Sequence, residues 1–260
     1  MPGYRLLLAY DGTGFHGYAR QPGVRTVQGV LEEALTPIAG SQETFVAGRT
    51  DKGVHAAGQV VSFTTGEPVD PARIMRSINR RLGPEVSVLG ITEVADTFHA
   101  RFSATGRAYR YLILNREPPD PFRSAATWHF PHPLDVAAMN EASAAFVGEQ
   151  DFASLCRKAG DRSTVRDVFW AWWRRDDDLV EFSVAASAFC HQMVRSMVAI
   201  AVDVGCGRAD AASIPAVLAA RDRGQGRGAA PAQGLTLVAV SYPGEPLPRP
   251  PWVPGMETAG

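Results

Sequence analysis

Ala47-Gly48-Arg49-Thr50-Asp51-Lys52-Gly53-Val54-His55-Ala56-Ala57-Gly58-Gln59-Val60 joins two strand-like runs through a loop that carries a single carboxylate. Before it, the apolar Phe45-Val46-Ala47 ends abruptly, and after it residues 59–64 resume the character of a strand. Residues 44–49 and 59–64 are therefore read as neighbouring strands. Glycines on both sides of Asp51 let the backbone bend and a ligand come close. Arg49 and Asp51 are two apart, so in extended geometry their side chains point to the same side. A guanidinium beside a carboxylate favours its ionised form. An ionised, partly buried Asp next to a fixed cation is poised to act as a nucleophile or base. The same pair could also serve only to staple the loop.

Around this passage the first half of the chain reads strand, helix, strand, strand, helix, strand. Residues 4–10 are short and apolar. Val27, Val30, Leu31, Ala34, Leu35 and Ile38 recur at helical spacing, with Thr26 placed to cap the helix. Pro71 opens a second helix running to Leu82. Residues 86–93 return as a strand.

The second half repeats the order. Residues 104–114 form a long strand and 135–146 a helix. Residues 166–174 and 179–184 make a hairpin around Asp176-Asp177-Asp178. Residues 188–204 and 213–221 read as helices, and 235–241 as a closing strand. In the helix from Ala188, His191 and Arg195 lie four apart, away from an apolar face of Phe189, Met193, Met197 and Ala201. A cation on such a helix must meet a carboxylate, line a cavity or sit at the helix edge in solvent.

The fold class expected is α+β, with two β-α-β-β-α-β units of the ferredoxin-like kind. If their sheets join edge to edge, a long antiparallel sheet carries helices on one side and leaves a concave face free. The divisions are 1–103, 104–243 and a proline-rich tail, 244–260, that is unsuited to helix or interior strand. Residues 221–233, rich in Gly, Ala and Arg, are read as a mobile basic loop.

Composition excludes several classes. In 260 residues, 45% hydrophobic and 20% charged, the pattern is that of an ordinary globular protein. No apolar run reaches the roughly 18 residues of a membrane span. Charged and turn residues begin at Arg5 and Asp11, so no signal peptide is read and a cytoplasmic location is expected. Cys156, Cys190 and Cys206 form no Cys-x-x-Cys pair and are read as reduced core thiols. His129 and His132 lack the acidic or Cys partners of a metal site.

A net charge of −1 does not announce a nucleic-acid binder. The arginines are nevertheless clustered: Arg73, Arg76, Arg80 and Arg81; Arg101, Arg107 and Arg110; Arg157, Lys158, Arg162 and Arg166; Arg221, Arg223 and Arg227. Of 26 basic residues only Lys52 and Lys158 are lysines. A planar guanidinium fork suits phosphate contacts and base stacking, although genome-wide base composition could produce the same bias.

Five segments in order carry a resemblance. They are Tyr10-Asp11-Gly12-Thr13-Gly14-Phe15-His16-Gly17 with Thr26-Val27-Gln28, the Asp51 loop, and Phe98-His99-Ala100-Arg101-Phe102-Ser103-Ala104-Thr105-Gly106-Arg107-Ala108-Tyr109-Arg110-Tyr111. The last two are Phe189-Cys190-His191-Gln192-Met193-Val194-Arg195 and Gly234-Leu235-Thr236-Leu237-Val238-Ala239-Val240-Ser241-Tyr242-Pro243. Together the chain resembles the tRNA pseudouridine synthase A family. It departs from the family pattern at Tyr18-Ala19-Arg20, where RNA docking would differ.

The resemblance implies that the two halves share an extended antiparallel sheet with a central catalytic cleft, and it implies isomerisation of uridine to pseudouridine in tRNA, at positions 38 to 40 of the anticodon stem-loop, by a homodimer. It implies Asp51 as the catalytic group, attacking either the ribose or the uracil ring. A base buried in its stack must be flipped out for such chemistry, and Arg49 is the candidate wedge. Tyr109 is placed against the uracil, where an aromatic face stacks well; by alternation Tyr109 and Tyr111 could instead be an aromatic ladder in the core. Arg195 is placed towards the catalytic Asp and Leu235 as an apolar wall. Arg107, on the same strand side as Tyr109, is a candidate RNA contact. The reaction involves neither redox change nor hydrolysis, so no metal or other cofactor is expected. Two other classes fit part of the pattern: a non-catalytic RNA-binding protein and a metal-dependent hydrolase.

Overall fold

The computed structural model describes residues 1–157 and 163–254; Lys158 and Arg162 of the third basic cluster lie outside the described residues. The chain divides into two compact units. One comprises Met1–Arg107 with Leu235–Pro246, and the other Ala108–Gly234 with the chain from Leu247 on. The strand at Leu235–Ser241 thus belongs to the first unit, although chain order places it after the second.

In the first unit, β1 (Gly3–Tyr10) alternates from Tyr4 onward. Tyr4, Leu6, Leu8 and Tyr10 are buried, and Leu7 faces outward. It pairs antiparallel with β3 (His55–Thr64) and β4 (Val86–Val94), with Leu6 opposite Val61 on one side and Ile91 on the other. The short β2 (Phe45–Val46) pairs antiparallel with β3. β10 (Leu235–Ser241) lies parallel to β3 with Thr236 opposite His55, giving the order β4-β1-β3-β10. Gly58 makes that approach possible: a Cβ there would sit 2.2 Å from the Val238 carbonyl oxygen.

Helix α1 (Val27–Ala39) is capped by Thr26, whose Oγ1 accepts from Gly29 N at 3.3 Å, and it buries Leu31 and Leu35. Helix α2 (Pro71–Leu82) is capped by Asp70 and buries Ile74 and Ile78, four apart on one face. Arginines 73, 76 and 80 lie away from that face and Arg81 in the last turn, and all four are exposed.

The second unit contains most of β5 (Gly106–Leu114), followed by β6 (Trp128–His129), α3 (Val136–Ser143), β7 (Gly148–Asp151), β8 (Val165–Asp176), β9 (Leu179–Ala186), α4 (Met193–Gly205) and α5 (Ser213–Ala220). Its strand order is β5-β9-β8-β7, with β6 parallel to β5. The β8–β9 hairpin closes through Asp177 at φ 51, a left-handed conformation Asp tolerates. Helices α3 and α4 approach so closely that a Cβ on Gly205 would lie 2.6 Å from Met139 Sδ.

The expected α+β class holds, and the strand pairs are mostly antiparallel. Three local expectations are corrected. The strand expected at 44–49 ends at Val46, and its partner begins at His55, so the carboxylate loop runs from Ala47 to Val54. The helix expected from Ala188 starts at Met193, because Gln192 adopts φ 65 and breaks the helical path. His191 therefore lies outside the helix that carries Arg195. The segment expected to be a mobile basic loop is tied down: Asp222 N donates to Ser154 Oγ at 2.9 Å and Arg223 Nη1 to Ser196 Oγ at 3.1 Å.

Candidate active site

The Asp51 loop is held from both ends and from beneath. Arg49 is exposed, Thr50 is buried and Asp51 is half-buried, so the two charged residues turn outward while the residue between them anchors inward. Thr50 Oγ1 lies 2.8 Å from the buried Tyr10 hydroxyl, and the Thr50 carbonyl accepts from Tyr18 N at 3.0 Å. Gln59, fully buried, donates to the Gly48 carbonyl at 2.7 Å and to the Tyr10 hydroxyl at 3.3 Å. Val54 N closes the turn onto the Asp51 carbonyl at 3.1 Å, with Gly53 at φ 78.

The glycine-rich opening segment packs on this loop, which is why it needs its glycines. A Cβ at Gly12 would stand 2.1 Å from the Val54 carbonyl oxygen. Gly17, at φ 95, would place one 3.0 Å from the Thr50 carbonyl oxygen. The buried His55 Nδ1 lies 3.1 Å from both Gly12 N and Asp11 Oδ1, joining the segment to the first residue of β3.

The departure at Tyr18-Ala19-Arg20 is absorbed by packing. Tyr18 is fully buried against Tyr10, with ring centroids 6.2 Å apart, and Arg20 pairs with Glu32 of α1 at 3.2 Å.

Two further candidates belong to this unit. Leu235 opens β10 and is buried one residue before the Thr236–His55 pair, level with the end of the Asp51 loop. Arg107 is also buried, and its guanidinium donates to three backbone carbonyls: Ala47 and Arg101 at 3.0 Å and Ala104 at 3.3 Å. These contacts tie two loops together.

In the second unit Tyr109 is buried, and its ring meets Phe189 edge to face at 5.1 Å and 88°. Arg195 sits in the first turn of α4, half-buried. Its Nε donates to the Ala230 carbonyl at 2.6 Å, while its own carbonyl accepts from Ala230 N at 3.0 Å. Next along, the Tyr111 hydroxyl donates to the Pro231 carbonyl at 2.7 Å. Burial pushes the Tyr111 phenol far above its ordinary range, and the positive charge of Arg195 opposes that shift. Gly234 packs closely on the Tyr111 side chain, where a Cβ would approach Cζ to 2.6 Å. Arg195, Tyr111 and the 230–234 segment thus form one packed group.

Sequence reasoning missed Tyr10, Thr50, Gln59, His55 and Phe189. The first four are recognisable only through contacts made at a distance along the chain. Phe189 fits the apolar period of a helix that in fact starts only at Met193.

Residues 7–103 and 142–243 match the model of a family described as tRNA pseudouridine synthase. Proteins described as tRNA pseudouridine synthase A are similar over nearly the whole chain. The one from Frankia casuarinae is 44% identical over 93% of this chain and 90% of its own length. That from Methylobacterium sp. (strain 4-46) is 42% identical, covering 95% and 100%. That from Pectobacterium atrosepticum is 41% identical, covering 94% and 88%.

Proposed function

This chain belongs to the tRNA pseudouridine synthase family and is an isomerase acting on uridine in tRNA; we propose that it works in the anticodon stem-loop with Asp51 as its catalytic group. In this reaction the bond from ribose C1′ to uracil N1 breaks and a bond from C1′ to C5 forms. C5 gives up a proton and N1 gains one, so the product is an isomer of the substrate.

The observation that carries the role of Asp51 is its placement. It is half-buried at the mouth of a loop whose neighbouring Thr50 is locked to Tyr10, and it is preceded by the outward-facing Arg49. A carboxylate on a fixed backbone needs little reorganisation to reach its target, and such pre-organisation lowers the barrier. The first target of Asp51 is either the ribose carbon or the uracil ring, as its dual character of nucleophile and base allows.

Extruding the uridine costs stacking and pairing energy. Arg49, exposed and two residues from Asp51, is suited to occupy the space left in the stem. Leu235, level with the end of the loop, supplies an apolar wall. Tyr109, already edge to face with Phe189, supplies an aromatic surface for the uracil, and Arg195 a cation fixed at its Nε by Ala230. Arg107 enters as a positioning residue, because its guanidinium holds the Ala47 carbonyl that leads into the catalytic loop.

The proposal includes a homodimer and a cytoplasmic location. No helix among the described residues is long and apolar enough to cross a membrane. Incubating unmodified tRNA with the purified protein and mapping pseudouridine by mass spectrometry tests the proposal. Product in the anticodon stem-loop is expected, and product confined to another region would overturn the assignment of the site.

A further inference from the structure

Phe102 is 77% exposed, yet the loop that carries it is held by several hydrogen bonds. The Ala100 amide donates to the buried Ser62 hydroxyl at 3.0 Å. The His99 carbonyl accepts from Ser103 N at 2.9 Å, and His99 N donates to Ser103 Oγ at 3.2 Å. His99 Nδ1 accepts from the amides of Arg101 and Phe102 at 3.1 and 3.3 Å, which fixes the imidazole plane. Arg107 grips the Arg101 carbonyl at 3.0 Å. A loop this constrained holds its aromatic side chain in water by construction, since fraying has no part in its position.

The rings continue inward as a ladder. Phe102 and His99 have centroids 4.4 Å apart, and His99 and Phe45 4.6 Å, each pair inclined by 39°. Phe45 is itself 38% exposed, so the ladder is open along one side. The guanidinium of the exposed Arg101 stands 5.6 Å from the Phe102 ring centroid, adding a cation to the outer rung. The ladder is mechanically linked to the catalytic loop. The Arg107 guanidinium that holds Arg101 also holds Ala47, and the strand bearing Phe45 leads directly into that loop.

We propose that this Phe45–His99–Phe102 ladder is a base-stacking platform, on whose outer rung an unpaired nucleotide of the tRNA other than the isomerised uridine rests. An exposed aromatic with an adjoining guanidinium matches the two faces of a nucleotide. The ring offers a stacking surface indifferent to base identity, and the cation neutralises the neighbouring phosphate. The inference rests on tRNA being the substrate. It adds a contact that fixes the RNA relative to the Asp51 loop through Arg107.

The test uses the full-length protein and unmodified tRNA, with the variants Phe102→Ala, Phe102→Trp and Arg101→Ala. Phe102→Ala is expected to weaken tRNA binding at least about fivefold, the lower end of what one base–aromatic stack contributes. The melting temperature should not move, because the side chain is largely in water. Phe102→Trp should restore binding, and Arg101→Ala should both weaken it and reduce its salt dependence. Unchanged affinity in Phe102→Ala would overturn the proposal. A change in molar mass by light scattering on Phe102→Ala would also overturn it, by making the ladder a protein–protein contact. The two readings fail separately. Binding that depends on Phe102 without pseudouridine formation sinks the catalytic function alone. Pseudouridine formation with binding indifferent to Phe102 sinks the platform alone.

Discussion

The hydroxyl of Tyr10 lies 2.8 Å from Oγ1 of Thr50, the residue immediately before Asp51. Tyr10 ends β1, forty residues away in sequence from Thr50, and it also accepts from Gln59 at 3.3 Å. The first strand of the sheet thereby sets where the Asp51 carboxylate stands. Tyr10→Phe leaves Thr50 and Gln59 without this partner in a buried setting, at a cost of about 1–3 kcal/mol. The melting temperature should fall, and kcat should fall more than KM rises. A variant with wild-type kcat would show that the anchor does not govern Asp51.

The same phenol gives a prediction in pH. Burial pushes the Tyr10 hydroxyl up to about 12, with the hydrogen bonds from Thr50 and Gln59 opposing the shift. A folded-state pKa above the unfolded one favours the protonated, folded form. Its contribution to stability is therefore complete below pH about 10 and is lost as pH rises through about 12. The stability difference between wild type and Tyr10→Phe, measured by denaturant unfolding, should shrink across that interval. A constant difference would mean that the phenol is not held neutral by the fold.

Gly12→Ala places a Cβ 2.1 Å from the Val54 carbonyl oxygen, a backbone atom that cannot swing aside. The loop must shift, which we expect to cost about 1–3 kcal/mol and to reduce activity well beyond the loss of stability. Gly14→Ala is the control, because its nearest neighbour is the flexible Glu85 carboxylate at 3.1 Å. Equal activities for the two variants would contradict the packing of the opening segment on the Asp51 loop.

Arg107→Ala removes a guanidinium that satisfies three backbone carbonyls. The expected result is a lowered melting temperature, on the order of 2 kcal/mol or more of lost stability. The slope of log affinity for tRNA against log salt should stay unchanged. A flattened slope with normal stability would return Arg107 to the role of a phosphate contact.

Much of this was legible in the chain itself. Helix α2 spans the expected residues because Pro71 marks its start. Strand β10 matched as well, being a bounded apolar run. Helix α4 did not. Apolar spacing upstream of Met193 continues a helical period, but Gln192 turns left-handed, and nothing in a glutamine announces that. The early start of β3 at His55 depends on pairing with Thr236, a partner supplied from the far end of the unit. At the site, Arg49 and Asp51 stood out because their loop is local. Tyr10, Thr50 and Gln59 did not, since their relation exists only after the strands pair. For Arg107, strand alternation gives a side but not what lies on it. Here that side holds carbonyls.

Asp51 is the residue on which the proposed chemistry depends most directly. Asp51→Asn keeps the side chain's size and removes its charge, and the loop's anchors through Thr50, Gln59 and Val54 do not depend on it. Pseudouridine in unmodified tRNA should be quantified by mass spectrometry after incubation with either protein, alongside tRNA affinity. We predict product below about a hundredth of the wild-type rate with affinity within several-fold of wild type. Turnover near the wild-type rate by Asp51→Asn would contradict the assignment of this carboxylate as the catalytic group.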